Sequence, residues 1–356
     1  MEMTKSNSLR VLLLVGGRSG EHEISLISGK HILQALDAQK FRPLVVVIQK
    51  DGSMTLGNAE EIKKLPNNPK QVLTPKGPLI SLRPYRSEKN GPCLLVDNEV
   101  LEFDVAFPVL HGPGGEDGTI QGLFELAEIP VVGCGVMSSS ICMDKALTKK
   151  ICSLAGLPIV PFIEIFRGEL LPKISWPYPI FVKPAHLGSS LGVTKVKVPS
   201  DLQAACDTAL AMDEKILIEP AIEGREIEIA LLGDRQNLIA SPAGEIRCKT
   251  EFYSYDAKYV DEDAAELILP TKLEASQLSE VQEIAKGIFR ALECRAMARI
   301  DFFLTKDGKF LLNEVNTIPG FTPISMYPKL MQLAGVNYPE LLEKLIQIAL
   351  QKGQSL

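Results

Sequence analysis

The chain is poor in the residues that most often announce a site. It has four histidines, His22, His31, His111 and His186, and seven cysteines without a CxxC pair. No histidine stands at ligand spacing from a cysteine, which argues against zinc. The odd, unpatterned cysteine set reads as reduced thiols of a cytoplasmic protein. No apolar run reaches about 18 residues, so no membrane span is expected. The start, MEMTKSNSLR, has no long apolar core of the signal-peptide kind. A basic surplus is missing as well. The net charge is -6, which argues against a general nucleic-acid binder but leaves room for a phosphate ligand at a local basic site. GxxxxGKS/T and GxGxxG are both absent, so neither a Walker loop nor a nicotinamide fingerprint is present. What remains is globular: 356 residues, 46% hydrophobic and 23% charged, enough for two or three domains.

Residues 9–16, LRVLLLVG, are a short apolar run ended by glycines and predict a buried strand. A helix from about Glu21 to Leu36 and a second apolar run, Leu44–Ile48, complete a β-α-β unit and hence a parallel sheet. Glu21 and Glu23 either complement the helix dipole or, for Glu21, point into a cleft to bind an amine. Residues 63–92, rich in Pro, Asn, Lys and Gly, read as a loose connection. Phe103–Leu110 is another buried strand that runs into HGPGGEDGT at 111–119. A helix from about Ile120 to Ala127 and a strand Ile129–Val132 follow. Loops at the carboxyl ends of parallel strands hold ligands in α/β proteins, and His111 in this one is either structural or functional.

A helix from about Ser139 to Leu154 carries Asp144 and Lys145. Strands Ile180–Lys183 and Val193–Val198 bracket a glycine-serine turn, PAHLGSSLG. It reads as a flap closing over phosphates with N–H groups and hydroxyls, or as an ordinary hairpin with a surface lysine. Lys183, at a strand end, is the natural phosphate partner. A helix near 200–212 and a strand Lys215–Glu219 lead into an apolar link to Ile222, then a strand Glu223–Leu232. Residues 244–263 are polar and irregular, the length of a lid or binding loop. Helices Glu274–Leu292 and about Tyr338 to Gln351 complete the chain.

Between those helices lies RIDFFLTKDGKFLLNEVN, Arg299 to Asn316. Asp307-Gly308 signals a two-residue hairpin loop. In that register Lys306 faces Lys309, Asp301 faces Glu314, and Arg299 faces Asn316. The last four of these share one face with Phe303 and Leu312, while Ile300, Phe302, Leu304, Leu311 and Val315 lie on the other. Opposed carboxylates with Cβ atoms roughly 5 Å apart are destabilising without a cation. Two acids and an amide oxygen suit a hard divalent ion that also holds phosphate, and Arg299 suits an anion. A surface hairpin with solvated charges is the competing reading.

Taken together and in order, GEHEIS, HGPGGEDGTIQG, MDK, KPAHLGSSLGV, GREIE, SYDAKY, RIDFF and NEVNTIPGFTPISMYP resemble segments of the D-alanine–D-alanine ligases of the ATP-grasp superfamily. The resemblance runs from Val11 to about Leu350. It implies an α/β fold of three domains: a Rossmann-like parallel-sheet domain at 1–135, and two α+β domains, 136–222 and 223–356, clasping ATP. The lid would span about 244–263. It implies that Lys145 and Lys183 contact the ATP phosphates and that Ser189 and Ser190 lie on the flap. Glu219 and the backbone through Ile222 would bind adenine, Glu226 the ribose, and Lys258 the terminal phosphate. Asp301, Glu314 and Asn316 would hold two Mg²⁺ or Mn²⁺. Glu21 would bind the ammonium of the first D-alanine, His111 would lie by that substrate, and Ser325 would hold the carboxylate of the second. Arg299 and the N–H of Gly320 would stabilise the oxyanion. Glu21, Ser189 and Tyr259 would tie helix, flap and lid together. Tyr259 favours an amine acceptor over D-lactate. Pro220 departs from the Lys or Gln often found there. A homodimer is expected from the family.

Overall fold

The computed structural model describes residues 8–83, 92–96, 99–248, 265–322 and 324–352. In chain order its strands are β1 (Leu9–Gly16), β2 (Phe41–Ile48), β3 (Met54–Gly57), β4 (Ile80–Arg83), β5 (Cys93–Val96), β6 (Glu99–Glu102), β7 (Val105–Pro108) and β8 (Ile163–Phe166). Then come β9 (Ile180–Pro184), β10 (Thr194–Val196), β11 (Lys215–Pro220), β12 (Gly224–Gly233), β13 (Leu238–Ala240), β14 (Gly244–Cys248), β15 (Ala265–Ile268), β16 (Ala296–Thr305) and β17 (Phe310–Asn316). The helices are α1 (His22–Ala35), α2 (Ala59–Ile62), α3 (Thr119–Leu126), α4 (Val136–Met143), α5 (Lys145–Leu154), α6 (Leu202–Met212), α7 (Ala275–Ala291), α8 (Met326–Leu333) and α9 (Tyr338–Lys352).

The first sheet has the order β3-β2-β1-β7. Its centre is parallel, as the β-α-β reading predicts, with Leu12 beside Leu44 and Ala106. Buried on both faces, β1 is apolar throughout Val11–Val15. The expected strand at 129–132 is reduced to one parallel bridge, Ala106 to Val131. Pro130 has no N–H to extend it. The stretch read as a loose connection carries β4, which pairs with β5 in a meander.

Helix 139–154 was expected in one piece and is two. Asp144 breaks it in an extended conformation, and its carboxylate accepts the N–H groups of Ala146 and Leu147, so α5 starts afresh at Lys145. A second sheet, β10-β9-β11-β8, is antiparallel throughout. A third runs β15-β14-β12-β16-β17, with β13 also on β12. The first residues of the expected irregular stretch 244–263 form β14; those from 249 onward lie outside the described residues. Helix α9 returns to the first sheet: Leu341, Leu345 and Ile346 are buried in one core with Val11, Leu13 and Phe107. Cys93, Cys134, Cys142, Cys152, Cys206 and Cys294 are buried thiols. Among the described residues no helix is long and apolar enough to cross a membrane.

The hairpin corrects the register read from the sequence. Thr305 N–H donates to the carbonyl of Lys309 at 2.9 Å and Gly308 N–H to that of Thr305 at 3.0 Å, so the loop has three residues, Lys306–Gly308. Gly308 takes φ +83°, as this loop class requires. Phe302 therefore pairs with Leu312 and Phe303 with Leu311, which exchanges Leu311 and Leu312 between faces. A β-bulge then restores the expected pairing: Asp301 faces Glu314 and Arg299 faces Asn316, with Asn313 as the extra residue. Replacing Gly308 with Ala should cost about 1–2 kcal/mol in urea unfolding; an unchanged midpoint would contradict the left-handed turn.

Candidate active site

Strand alternation builds one polar face across three strands. Glu226 pairs with Phe303, Glu228 with Asp301 and Ala230 with Arg299, so Glu226 and Glu228 join the Asp301–Glu314 face. Arg299 lies among them. Its Nε and Nη2 donate to the two oxygens of Asp301, each at 2.8 Å, and its Nε is 3.1 Å from Glu228. Burial pulls this guanidinium down, but Asp301 and Glu228 outweigh it and hold it well above the usual arginine value. Asn316 Nδ2 donates to Asp301 at 3.0 Å. Asp301 is buried, which rules out the solvated surface hairpin. Glu228 was missed by the sequence reading, although the alternation in GREIEIA places it beside Glu226.

The lysines meet this face from the second sheet and α5. Lys145 Nζ is 3.8 Å from Glu314 and donates to the carbonyl of Leu187 at 2.6 Å. Lys183 Nζ is 2.8 Å from Glu219 and donates to Asn313 Oδ1, the bulge residue, at 3.2 Å. Glu219 is also paired to Lys149, one turn beyond Lys145 and wholly buried. Burial raises the Glu219 carboxyl, and the two lysines bring it below the ordinary range. The Glu219 carboxylate is thus turned to lysines. Ile222 is half-buried in the link between β11 and β12, and Pro220 keeps its place in β11 beside Ile180. No group of three His, Cys, Asp or Glu side chains able to hold a metal occurs among the described residues. Two carboxylates and one amide do converge. That set fits Mg²⁺, which takes one or two carboxylates and completes its shell with phosphate oxygens and water.

The flap reaches the first sheet. Ser189 and Ser190 adopt φ +50° and +59°, a region that strains residues other than glycine. Ser189 Oγ donates to Glu21 at 2.5 Å, and Glu21 is buried at the start of α1. Glu21 therefore does more than complement the helix dipole. At the flap's base His186 sits between Asp213 (3.0 Å) and Asp144 (3.4 Å); these carboxylates raise its pKa.

One residue of the loop after β17 is held at both of its flanking peptide groups. His111 Nδ1–H donates to the carbonyl of Ile318 at 3.1 Å, and Ile318 N–H donates to Glu116 at 3.4 Å. The carbonyl can only accept, which fixes the His111 tautomer and leaves Nε2 to accept from Ser28 Oγ at 3.3 Å. Burial lowers the His111 pKa, keeping the ring neutral. His111 therefore reaches the site through backbone. Two residues on, Gly320 lies against Ser325: a Cβ there would come within 2.8 Å of Ser325 Oγ. That oxygen shares a 2.7 Å hydrogen bond with Thr322 Oγ1. Tyr338 Oη pins the carbonyl of Phe321 at 2.5 Å. Glu116 escaped the sequence reading because nothing in HGPGGEDG separates it from Asp117. Lys258 and Tyr259 lie outside the described residues.

Two antiparallel α+β units that meet over lysines and carboxylates, one carrying a glycine-serine flap, define an ATP-grasp protein. Comparison with known proteins agrees. The families D-ala D-ala ligase N-terminus and D-ala D-ala ligase C-terminus match residues 10–134 and 151–347. The D-alanine--D-alanine ligase of Caldicellulosiruptor bescii is 45% identical over 369 residues, covering 99% of this chain and 97% of that protein. The solved D-alanine-D-alanine ligase of Coxiella burnetii superposes with a TM-score of 0.86 at 34% identity, over 98% of this chain and 96% of that one. The Bacillus anthracis ligase complexed with ATP gives 0.73 at 27%, over 98% and 99%. The chain belongs to the D-alanine–D-alanine ligase family and is an ATP-dependent ligase.

Burial, with Glu21 nearby, raises the Glu116 carboxyl from 4.5 to about 8. The folded protein therefore binds this proton more tightly than the unfolded chain. The resulting stability is full below about pH 4.5 and fades as pH rises towards 8. Between pH 5 and 8 the wild type should lose at least about 1 kcal/mol relative to Glu116→Gln. Parallel unfolding curves for the two proteins would refute this.

Proposed function

We infer that the protein joins two D-alanines at the expense of ATP, giving D-alanyl-D-alanine, ADP and phosphate for peptidoglycan precursor synthesis. The observation that carries the reading is the meeting of Lys145 and Lys183 with the Asp301–Glu314–Asn316 face around Arg299. Phosphate, carboxylate and metal chemistry need those groups in one place. In the first step the carboxylate of one D-alanine attacks the γ-phosphorus of ATP, releasing ADP and forming D-alanyl phosphate. In the second the amine of the other D-alanine attacks that carbonyl, and the tetrahedral intermediate expels phosphate.

Lys145, Lys183 and Lys258 hold the phosphates, with Ser189 and Ser190 on the flap. The backbone from Glu219 to Ile222 meets the adenine, and Glu226 meets the ribose. Asp301, Glu314 and Asn316 hold two Mg²⁺ or Mn²⁺, whose charge offsets that of the phosphates. Glu21 takes the first substrate's ammonium, Ser325 the second's carboxylate. Arg299 and Gly320 N–H face the developing oxyanion, the geometry that stabilises charge as it forms. His111 and Glu116 set Gly320 by gripping Ile318. The Glu21–Ser189 hydrogen bond, completed by Tyr259 from the lid, keeps water from the acyl phosphate. The units are 1–135, 136–222 and 223–356, and the enzyme works as a cytoplasmic homodimer.

The test is ATP-dependent phosphate release with Mg²⁺ and D-alanine, beside L-alanine and beside D-lactate plus D-alanine, with products weighed by mass spectrometry. D-alanyl-D-alanine formed in step with phosphate is the expected result; a D-alanyl-D-lactate product, or no turnover, would replace the reading. Glu314→Gln should lower kcat at least about 100-fold, and retained turnover would remove its metal role. Ser189→Ala should release more ADP per dipeptide, because the acyl phosphate meets water. An unchanged ratio of ADP to dipeptide would show that the flap does not seal the site.

A further inference from the structure

Lys149 is the most deeply buried cation near the site and has no part in the chemistry above. Its ammonium is 0% exposed and pairs with Glu219, itself 3% exposed. The other oxygen of Glu219 is 2.8 Å from Lys183. One buried carboxylate thus stands between two lysines. A buried ion pair seldom adds net stability, because desolvation offsets the attraction. Stability therefore gives little reason to bury a second lysine here, and the charge balance of the group gives a better one.

We propose that Lys149 is a positioning residue that neutralises Glu219, so that Lys183 presents a net positive charge to the nucleotide. With only Lys183 and Glu219 the pair would be neutral, and a phosphate would have to compete with a buried carboxylate for the one ammonium. With Lys149 the three groups sum to +1, and Glu219 serves as a hinge that aims Lys183 without cancelling it. Asn313, the bulge residue, holds Lys183 from the other unit at 3.2 Å. Glu314 has its own lysine, Lys145, at 3.8 Å, and its pull on Lys149 is weaker than that of Glu219. Burial draws the Lys149 ammonium down to about 8, against the pull of Glu219, so the charge is present at neutral pH but held at a cost.

This proposal rests on the reading of Lys183 as a phosphate contact. Its test is the affinity of the full-length protein for the β,γ-methylene analogue of ATP with Mg²⁺, measured by calorimetry beside thermal unfolding. Lys149→Met should weaken binding at least about tenfold. Lys149→Arg keeps the charge beside Glu219 and should bind within about threefold of the wild type. A Met variant that binds like the wild type, or an Arg variant as weak as the Met variant, would overturn the proposal. If the Met variant fails to fold, Lys149→Gln decides, since it can still donate to Glu219 without carrying a charge: a loss of at least about tenfold supports the proposal and wild-type affinity sinks it. Wild-type protein that binds the analogue but makes no dipeptide would remove the ligase reading and leave this one standing.

Discussion

Asp301 and Glu314 stand opposite one another in a half-buried hairpin, and much of the structure answers that constraint. Two carboxylates at about 5 Å repel by roughly 3 kcal/mol at the effective dielectric of a protein surface, and more when buried. Glu228 on the neighbouring strand adds to the load. Arg299 relieves it with both forks of its guanidinium, and Lys145 reaches Glu314 from the start of α5. Lys145 is there because Asp144 ends one helix and caps the next. Asp144 in turn pairs with Lys215 and His186, which ties the cap to the second sheet and to the base of the flap. One local repulsion is thus distributed over three elements, each held by a partner of its own.

The same economy governs the loops. Ile318 is gripped at its carbonyl by His111 and at its N–H by Glu116, both from one loop of the first sheet. Tyr338 fixes the next carbonyl but two, that of Phe321. Between these anchors Gly320 has little room to move, and Ser325 leaves no space for a side chain on it. The flap is tied to the same region through Ser189 and Glu21. Long-range contacts of this kind join the N-terminal sheet to both other units. Helix α9, buried in the core of the first sheet, adds an apolar tie of its own. In the proposed reaction this lacing makes a reactive acyl phosphate survivable.

Local signals carried a large part of the fold. The parallel β-α-β start, the antiparallel hairpin and the flap between two strands follow from apolar runs, glycines and alternation, because these depend on neighbours only a few residues away. The opposed pair Asp301–Glu314 was legible too, though by two errors that cancel: the loop is a residue longer than read, and the bulge at Asn313 takes the extra residue back. Motif order made the family legible, since eight segments in register carry more information than any one.

Lys149, Glu116 and Asn313 were out of reach, and for a common reason. Each is an ordinary polar residue in sequence and becomes a site residue through a partner 70 to 202 positions away. His111 stood out in the sequence, which left it structural or functional; the structure adds that both of its ring nitrogens are engaged, by Ile318 and Ser28. The sequence alone determined the strand and helix types, the family and the hairpin face, because periodicity and turn chemistry are local. Only the tertiary structure decided which carboxylate faces which lysine, because charge partners are chosen by distance in space, and burial sets how much each pairing is worth.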